Sequence, residues 1–399
     1  MRTRLFALAA ATSVLLAACG GGTPGAQPSA STGPKADIKV GLAISLTGAA
    51  NIYGPAQQNG AKLAMEQINA AGGIDGAKIA LVVEDDASAR DQGITVFRKL
   101  INEDKVAAIL GPTLSGVAAG AHPVAQQAGL PVIAISNTGV GIVGKCDYGA
   151  CDWIFRASLG EETALPAALK AAKDKLNLKK VVLMFESDQK FAADGADIFK
   201  KAAADNGITI ARTIPYKTAD VDFSAFVTQA KGESPDAILA SGLAGTASKV
   251  LIEVGKQFPQ GLRVVGSNGF NSPAVITAAG AAAPNMIVGT AWNKASTDKA
   301  NTDFVKAFKD KYGTDPDQFA TQAYTAMIVL ADAMKRSGNV TDKASLKKAL
   351  EATKDLATPL GAFSFTPEHD VKQPVFVMTV KEVSSSRSTN LTRRGGAAL

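Results

Sequence analysis

From residue 37 onward the chain alternates short, continuously apolar, β-branched runs with longer stretches whose apolar positions recur at helical spacing. The strand-like runs fall at 38–44, 79–84, 107–110, 132–135, 181–185, 209–214, 237–240, 264–266, 286–289 and 375–380. Apolar runs without polar alternation predict parallel strands covered on both faces. In the first helical stretch Ala61, Ala64, Met65, Ile68 and Ala71 share one face, and Gly72-Gly73 ends it. Further helices are predicted over 91–103, 116–128, 161–176, 192–206, 223–231, 246–258, 302–312, 318–337 and 343–353. Strands alternating with helices in this way predict an α/β, doubly wound protein. Ten parallel strands in one sheet would be unusually wide, so two lobes are expected.

The two ends of the chain fall outside this alternation. Arg2 and Arg4 precede an apolar run that closes with Leu16-Ala17-Ala18-Cys19. That run, about thirteen residues long, is shorter than the ~20 needed to span a bilayer, so residues 1–18 read as a secretory signal. The small residues before Cys19 resemble a bacterial lipobox, which implies acylation of Cys19 and a membrane attachment through lipid. The Gly/Ser/Pro-rich residues 19–36 read as a flexible tether. The polar segment 383–399 reads as a disordered tail.

Composition adds two points. With 46% apolar residues in 399, the chain is an ordinary globular protein, which excludes disorder and collagen-like repeats. The formal charge of +6 suggests an anionic partner until it is located. Arg2, Arg4, Arg387, Arg393 and Arg394 lie at the ends, the remaining body is near neutral, and no Lys/Arg block marks a nucleic-acid surface. Of the three cysteines, Cys146 and Cys151 lie in one Gly-containing loop. In an oxidising compartment they would form a small-loop disulfide. A redox or metal role is the weaker alternative, because the spacing is not C-x-x-C and no nearby His completes a zinc set.

Ligands of open α/β sheets bind beyond the carboxyl ends of the strands. There the chain carries Ser45-Leu-Thr-Gly48 and Tyr53-Gly54, then Gly111-Pro-Thr-Leu-Ser115, then Ser136-Asn-Thr-Gly139. The second half offers Glu186-Ser-Asp-Gln-Lys-Phe191, Ser241-Gly-Leu243 and Ser267-Asn-Gly269. Hydroxyls together with free amides at helix N-termini suit a carboxylate. Taken singly, Ser115, Ser136 and Thr138 read as caps or turn residues; converging at neighbouring strand ends they read as a binding site. The residues alone leave both open. His122 and His369 read as structural or solvated, and Asp85-Asp86 as a solvated strand end or helix lead-in. No metalloprotease, nucleophile-elbow or phosphate-loop motif occurs. The single G-x-G-x-x-G match, Gly139 to Gly144, runs into the cysteine loop instead of opening a helix. No cofactor, metal or catalytic residue is therefore expected.

Several ordered motifs carry a family likeness. The run Ile38-Lys-Val-Gly-Leu-Ala-Ile-Ser-Leu-Thr-Gly48, Tyr53-Gly54, the helix 60–73 and Glu84-Asp-Asp-Ala87 resemble the amino-terminal signature of type I periplasmic binding proteins of the leucine/isoleucine/valine class. The likeness continues through Gly111 to Ser115, Gly129 to Ser136, Phe155-Arg156 and Gln322-Ala-Tyr324, covering about 37–382. It implies two doubly wound parallel-sheet lobes joined by a three-strand hinge, lobe one being 37–158 plus 291–365 and lobe two 159–290 plus 366–382. It implies, too, that Ser115 and Thr138, with the backbone near Leu114 and Ser136, grip a ligand's carboxylate and amine from lobe one, where Tyr53 forms an aromatic wall. From lobe two it implies Phe191 as an aromatic cover, Glu161 as an acidic hinge-side position, and Leu243 and Asn268 as further pocket positions.

At Asn268 the sequence departs from the amino-acid binders, which carry an ammonium-binding carboxylate there. A buried ammonium needs a charged partner. Either Glu161 supplies it, or the ligand has no ammonium and is an aromatic or branched aliphatic acid. The resemblance implies the extracytoplasmic substrate-binding component of an ABC importer, exported to the periplasm, with permease subunits in the membrane as partners. A sensor receptor of the same fold acting through a separate signalling protein is the alternative, and an enzyme is disfavoured by the missing acid/base residues.

Overall fold

The computed structural model describes residues 35–380 and the backbone of 391–393. The predicted signal, most of the tether including Cys19, and the rest of the tail lie outside the described residues.

The first part of the chain builds a five-stranded sheet. Strand β1 (Ile38–Ile44) leads to α1 (Gly54–Ala70), β2 (Ile79–Asp85), α2 (Arg90–Asn102), β3 (Ala108–Leu110), α3 (Ser115–Ala128), β4 (Val132–Ala134) and β5 (Ile154–Arg156). All neighbours are parallel in the order β2-β1-β3-β4-β5. After α4 (Glu161–Leu176) a second sheet begins with β6 (Lys180–Glu186), α5 (Lys190–Asp205), β7 (Thr209–Tyr216), α6 (Ser224–Gly232) and β8 (Ala237–Ser241). It continues with α7 (Ala244–Gln257), β9 (Arg263–Gly266), α8 (Pro273–Ala279) and β10 (Met286–Thr290). The chain then forms α9 (Lys299–Tyr312), α10 (Gln318–Ser337) and α11 (Lys343–Glu351), followed by β11 (Leu356–Thr358), β12 (Gly361–Phe365) and β13 (Val371–Lys372) as a small antiparallel sheet. Strand β14 (Phe376–Val380) returns to the second sheet, antiparallel to β10, and pairs in turn with β15 (Leu391–Arg393).

Each predicted strand is present, with ends differing by a residue or two. Four short strands, β5, β11, β12 and β13, and helix α8 were not anticipated, because two to seven residues are too few for a periodicity to declare itself. Within the segment expected to be disordered, 391–393 is paired with β14, because that strand would otherwise leave an unpaired sheet edge.

The α/β architecture follows from burial. Val40, Leu42 and Ile44 of β1 pack with Ala323, Met327 and Leu330 of α10, so a helix from late in the chain covers a sheet from its beginning. Phe97 and Leu100 of α2 cover the other face. The second sheet is enclosed in the same way by Leu165 and Leu169 of α4 with Phe199 of α5 on one side, and by Val250, Leu251 and Val254 of α7 on the other. One apolar cluster does not respect the division: Tyr53, Leu114 and Val117 pack together with Phe191, Leu243, Phe270 and Phe319. It fills the gap between the sheets. No helix among the described residues is long and apolar enough to cross a membrane.

Candidate functional site

The carboxyl ends of the two sheets face a cleft of about 290 Å³, including its mouth, lined by Tyr53, Thr113, Leu114, Ser115, Ser136, Thr138, Phe191, Leu243, Asn268, Gly269 and Phe319. Eight of the nine ligand-binding candidates named from the sequence lie on its wall, and the ninth, Glu161, is buried just behind it.

On the first-sheet side the wall rests on hydrogen bonds between loops distant in sequence. The Thr113 hydroxyl accepts from the Ser45 amide at 2.9 Å and donates to Gln57 Oε1 at 2.7 Å. Gln57 Nε2 donates to Ser136 Oγ at 2.8 Å, and Ser136 Oγ donates to the Thr113 carbonyl at 2.7 Å. The Ser136 proton is thereby committed inside the protein. Ser45 Oγ donates to Asp86 Oδ1 at 2.6 Å. Asp86 is not the solvated residue expected; it is fully buried, and that burial raises its carboxyl above the ordinary range. The expectation failed because its partner Ser45 comes from a different strand end. Gly54 allows the approach of the loop before α1, since a Cβ there would lie 2.1 Å from the Ser45 carbonyl oxygen.

What this network leaves free is the start of α3. Leu114 is its N-cap, extended at φ −97° and ψ 140°, and no side chain caps the helix. The Ala118 amide bonds to the Leu114 carbonyl at 2.9 Å, so the amides of Ser115, Gly116 and Val117 precede the first intrahelical bond. Ser115 Oγ accepts from the Gly139 amide at 3.2 Å and keeps its own proton available. Unused amides, the positive end of a helix dipole and a free hydroxyl together attract an anion.

On the second-sheet side the charges face inward to their own elements. Glu186 Oε2, at the end of β6, accepts from the Leu243 amide at 2.7 Å and from the Thr246 hydroxyl at 2.9 Å. That leaves Phe191 and Leu243 as apolar cover. Tyr53 reaches across: its hydroxyl accepts from the Ala244 amide at 2.7 Å and donates to the Gly269 carbonyl at 3.3 Å, while its ring lies 4.3 Å from that of Phe319. Gly269 itself comes close to the Gly242 carbonyl, 2.0 Å from where a Cβ would sit.

Glu161, the first residue of α4, joins the two sides. Its Oε1 accepts from the Asn268 amide at 2.9 Å and from Thr138 Oγ1 at 3.4 Å, and its Oε2 is buried with no partner. Burial pushes this carboxyl up to about 7, against the pull of the Asn268 amide. Arg156 lies nearby, paired with Asp370 and donating to the Gly139 carbonyl at 3.1 Å. At the rim, Cys146 and Cys151 form a disulfide. Asp147 in that loop meets Lys190 of α5 at 3.0 Å, and Asp194 accepts from the Val140 amide at 3.0 Å.

Of the two histidines, His122 is fully buried with its ring pushed down to about 4 by desolvation, and His369 stacks on Phe155. Both sit in packing roles. Among the described residues no group of three or more His, Cys, Asp or Glu could hold a metal ion. Thr113, Gly269 and Phe319 were missed as lining residues. Thr113 and Gly269 sit beside residues that were identified, whereas Phe319 arrives on a helix with no motif of its own.

The chain is similar to known proteins along most of its length. A family model described as a periplasmic binding protein matches residues 37–387. The Leu/Ile/Val-binding protein homolog 3 of Brucella melitensis is 28% identical over 344 residues, 86% of this chain and 90% of that protein. Among solved structures, the branched-chain amino acid transporter substrate binding protein LivJ of Streptococcus pneumoniae, in complex with isoleucine, superposes with a TM-score of 0.80 at 29% identity, covering 89% of this chain and 99% of that one. An ABC transporter solute binding protein of Rhodopseudomonas palustris, in complex with 3,4-dihydroxybenzoic acid, does so with a TM-score of 0.79 at 25% identity, covering 87% and 94%.

Proposed function

The chain belongs to the periplasmic binding protein family, and from that premise we propose that it is the extracytoplasmic substrate-binding component of an ABC importer, holding a small carboxylate between two closing lobes. The observation that carries the proposal is the uncapped start of α3 beside the free Ser115 hydroxyl, opening on a cleft that Tyr53, Phe191, Leu243 and Phe319 close with apolar surface. Burying a carboxylate costs several kcal/mol unless donors replace its water, and this arrangement supplies them ready-placed. The related proteins of known structure bind isoleucine in one case and dihydroxybenzoate in another, which supports a carboxylate as the shared element.

In this proposal residues 37–158 plus 291–365 form one lobe and 159–290 plus 366–382 the other. Tyr53, Phe191 and Leu243 close over the ligand, Thr138 and Glu161 stand beside it, and the permease reads the closed form. The protein performs no chemistry on what it holds. It is exported, cleaved before Cys19 and tethered to a membrane through lipid on that residue.

The test is to purify the protein without its leader, strip it of bound small molecules by unfolding and refolding, and titrate branched-chain amino acids and aromatic and aliphatic acids by calorimetry. Micromolar or tighter binding of one carboxylate is expected. Failure of every carboxylate to bind, with the protein folded, would overturn the proposal.

A further inference from the structure

The side of the cleft opposite α3 carries one polar side chain whose polarity is set from outside the cleft. Asn268 lines the wall, and its amide group offers either an oxygen or a nitrogen to a ligand. Which one it offers depends on the buried Gln318, the first residue of α10, only 3% exposed. Gln318 Nε2 donates to Asn268 Oδ1. Gln318 Oε1 accepts from Asn271 Nδ2 at 2.7 Å and from the Thr290 hydroxyl. Thr290 Oγ1 accepts in turn from the Trp292 backbone amide at 3.2 Å and from Asn271 Nδ2 at 2.8 Å. With two donors pointing into it, the Thr290 hydroxyl has its proton to give, and Gln318 Oε1 is the nearer of its two acceptors, the Trp292 carbonyl lying at 3.3 Å; this turns Gln318 Nε2 toward Asn268. The Asn268 oxygen is then occupied, and its Nδ2 protons have no partner among the described residues.

The consequence is a cleft polarised toward donors. The α3 amides, the Ser115 hydroxyl and Asn268 Nδ2 all offer hydrogens. No carboxylate lines the wall: Glu161 lies behind it with one oxygen already accepting from Asn268 N and Thr138, and Glu186 is turned to the Leu243 amide and Thr246. An ammonium brought against Asn268 Nδ2 would face like polarity with no carboxylate on the wall to neutralise it, a costly burial.

We propose that Gln318 is a positioning residue that holds Asn268 as a hydrogen-bond donor, so that the cleft selects an ammonium-free carboxylic acid carrying a hydroxyl or oxo oxygen for that donor. This rests on the receptor reading above and names its ligand class. Gln318 touches no ligand; it acts through the orientation of Asn268.

Three probes test it by calorimetry: leucine, the 2-oxo acid with the same carbon skeleton, and a hydroxybenzoate. The wild-type protein is expected to bind one of the two ammonium-free acids at least tenfold more tightly than leucine. In Gln318→Glu the new carboxylate oxygen accepts from Asn268 Nδ2, turning Oδ1 into the cleft. The preference for the ammonium-free acid over leucine is expected to shrink by tenfold or more, with leucine binding strengthened in absolute terms. Asn268→Asp keeps the Gln318 Nε2 bond and places a carboxylate oxygen on the wall, so the same inversion is expected should Gln318→Glu fail to fold. A merely structural defect would weaken every ligand together. Parallel weakening in both variants, or a wild-type preference for leucine, would overturn the inference while leaving the receptor intact. A wild-type protein that binds none of the three overturns this inference, whereas the receptor reading falls only if the wider set of carboxylates also fails to bind.

Discussion

The two walls of the cleft solve the same problem in opposite ways. On the first-sheet wall the loops hold one another through Thr113, Gln57 and Ser136, and this mutual satisfaction leaves the start of α3 with nothing from the protein to bind. On the second-sheet wall the start of α7 is served by Glu186 at the Leu243 amide and by Tyr53 at the Ala244 amide. One helix start is reserved for a ligand, and the other is spent on structure and closure. Identical backbone chemistry thus becomes a binding site or a fastening according to whether a side chain reaches it first.

The sharpest way to break the contrast is to fill the reserved place. Ser115→Asp supplies an internal anion to the α3 amides and repels an incoming carboxylate. Carboxylate affinity is expected to fall on the order of a hundredfold with thermal stability unchanged or raised, read by calorimetry and by melting. Gln57→Leu removes the link between Thr113 and Ser136 and leaves two buried hydroxyls short of a partner. Unfolding free energy is expected to drop by about 2–5 kcal/mol in urea titration, with binding weakened roughly tenfold. The matching lesion on the other wall is Thr246→Val, which takes one donor from Glu186. It is expected to cost about 1–2 kcal/mol of stability and to change affinity less than twofold, because the Glu186 hydrogen bonds do not face the ligand.

Glu161 gives a prediction in pH. Its carboxyl is raised from 4.5 to about 7, so the folded protein keeps a proton that the unfolded chain releases. Its contribution to the unfolding free energy therefore falls as pH rises through that interval. Glu161→Gln is expected to flatten the fall between pH 4.5 and about 7, measured by denaturant midpoints across pH. The smallest effect belongs to the rim. Lys190→Met cuts the Lys190–Asp147 and Lys190–Asp194 contacts, both partly exposed, and a two- to threefold faster ligand release that vanishes in high salt is expected in stopped-flow.

The same contrast explains what the sequence made legible. Strand ends carrying Ser115, Ser136, Thr138 and Asn268 were readable because a short polar, Gly-rich segment after an apolar run is a local signal. Asp86 was misread because its environment comes from Ser45, 41 residues earlier. Phe319 and Gln318 were invisible as site residues for a related reason. They open a long amphipathic helix whose pattern speaks of packing, and only the fold brings that helix's first turn to the cleft. Residues that face a ligand from a loop announce themselves, whereas residues that orient others from a helix do not.

The return of α10 to cover β1, and of β14 to flank β10, has a bearing on how the molecule is made. Neither sheet is completed by its own stretch of chain: the first, built from residues 38–156, lacks one covering helix until Gln318–Ser337 is present, and the second lacks the strand beside β10 until Phe376–Val380. A nascent chain that ends before residue 318 therefore exposes the apolar face formed by Val40, Leu42 and Ile44. Such long-range closure slows folding and ties both halves into one late, cooperative step. Delay is an asset for any polypeptide that must be threaded through a translocation pore before it folds. The cleft, whose wall includes Phe319 of that late helix, is incomplete in any shorter product.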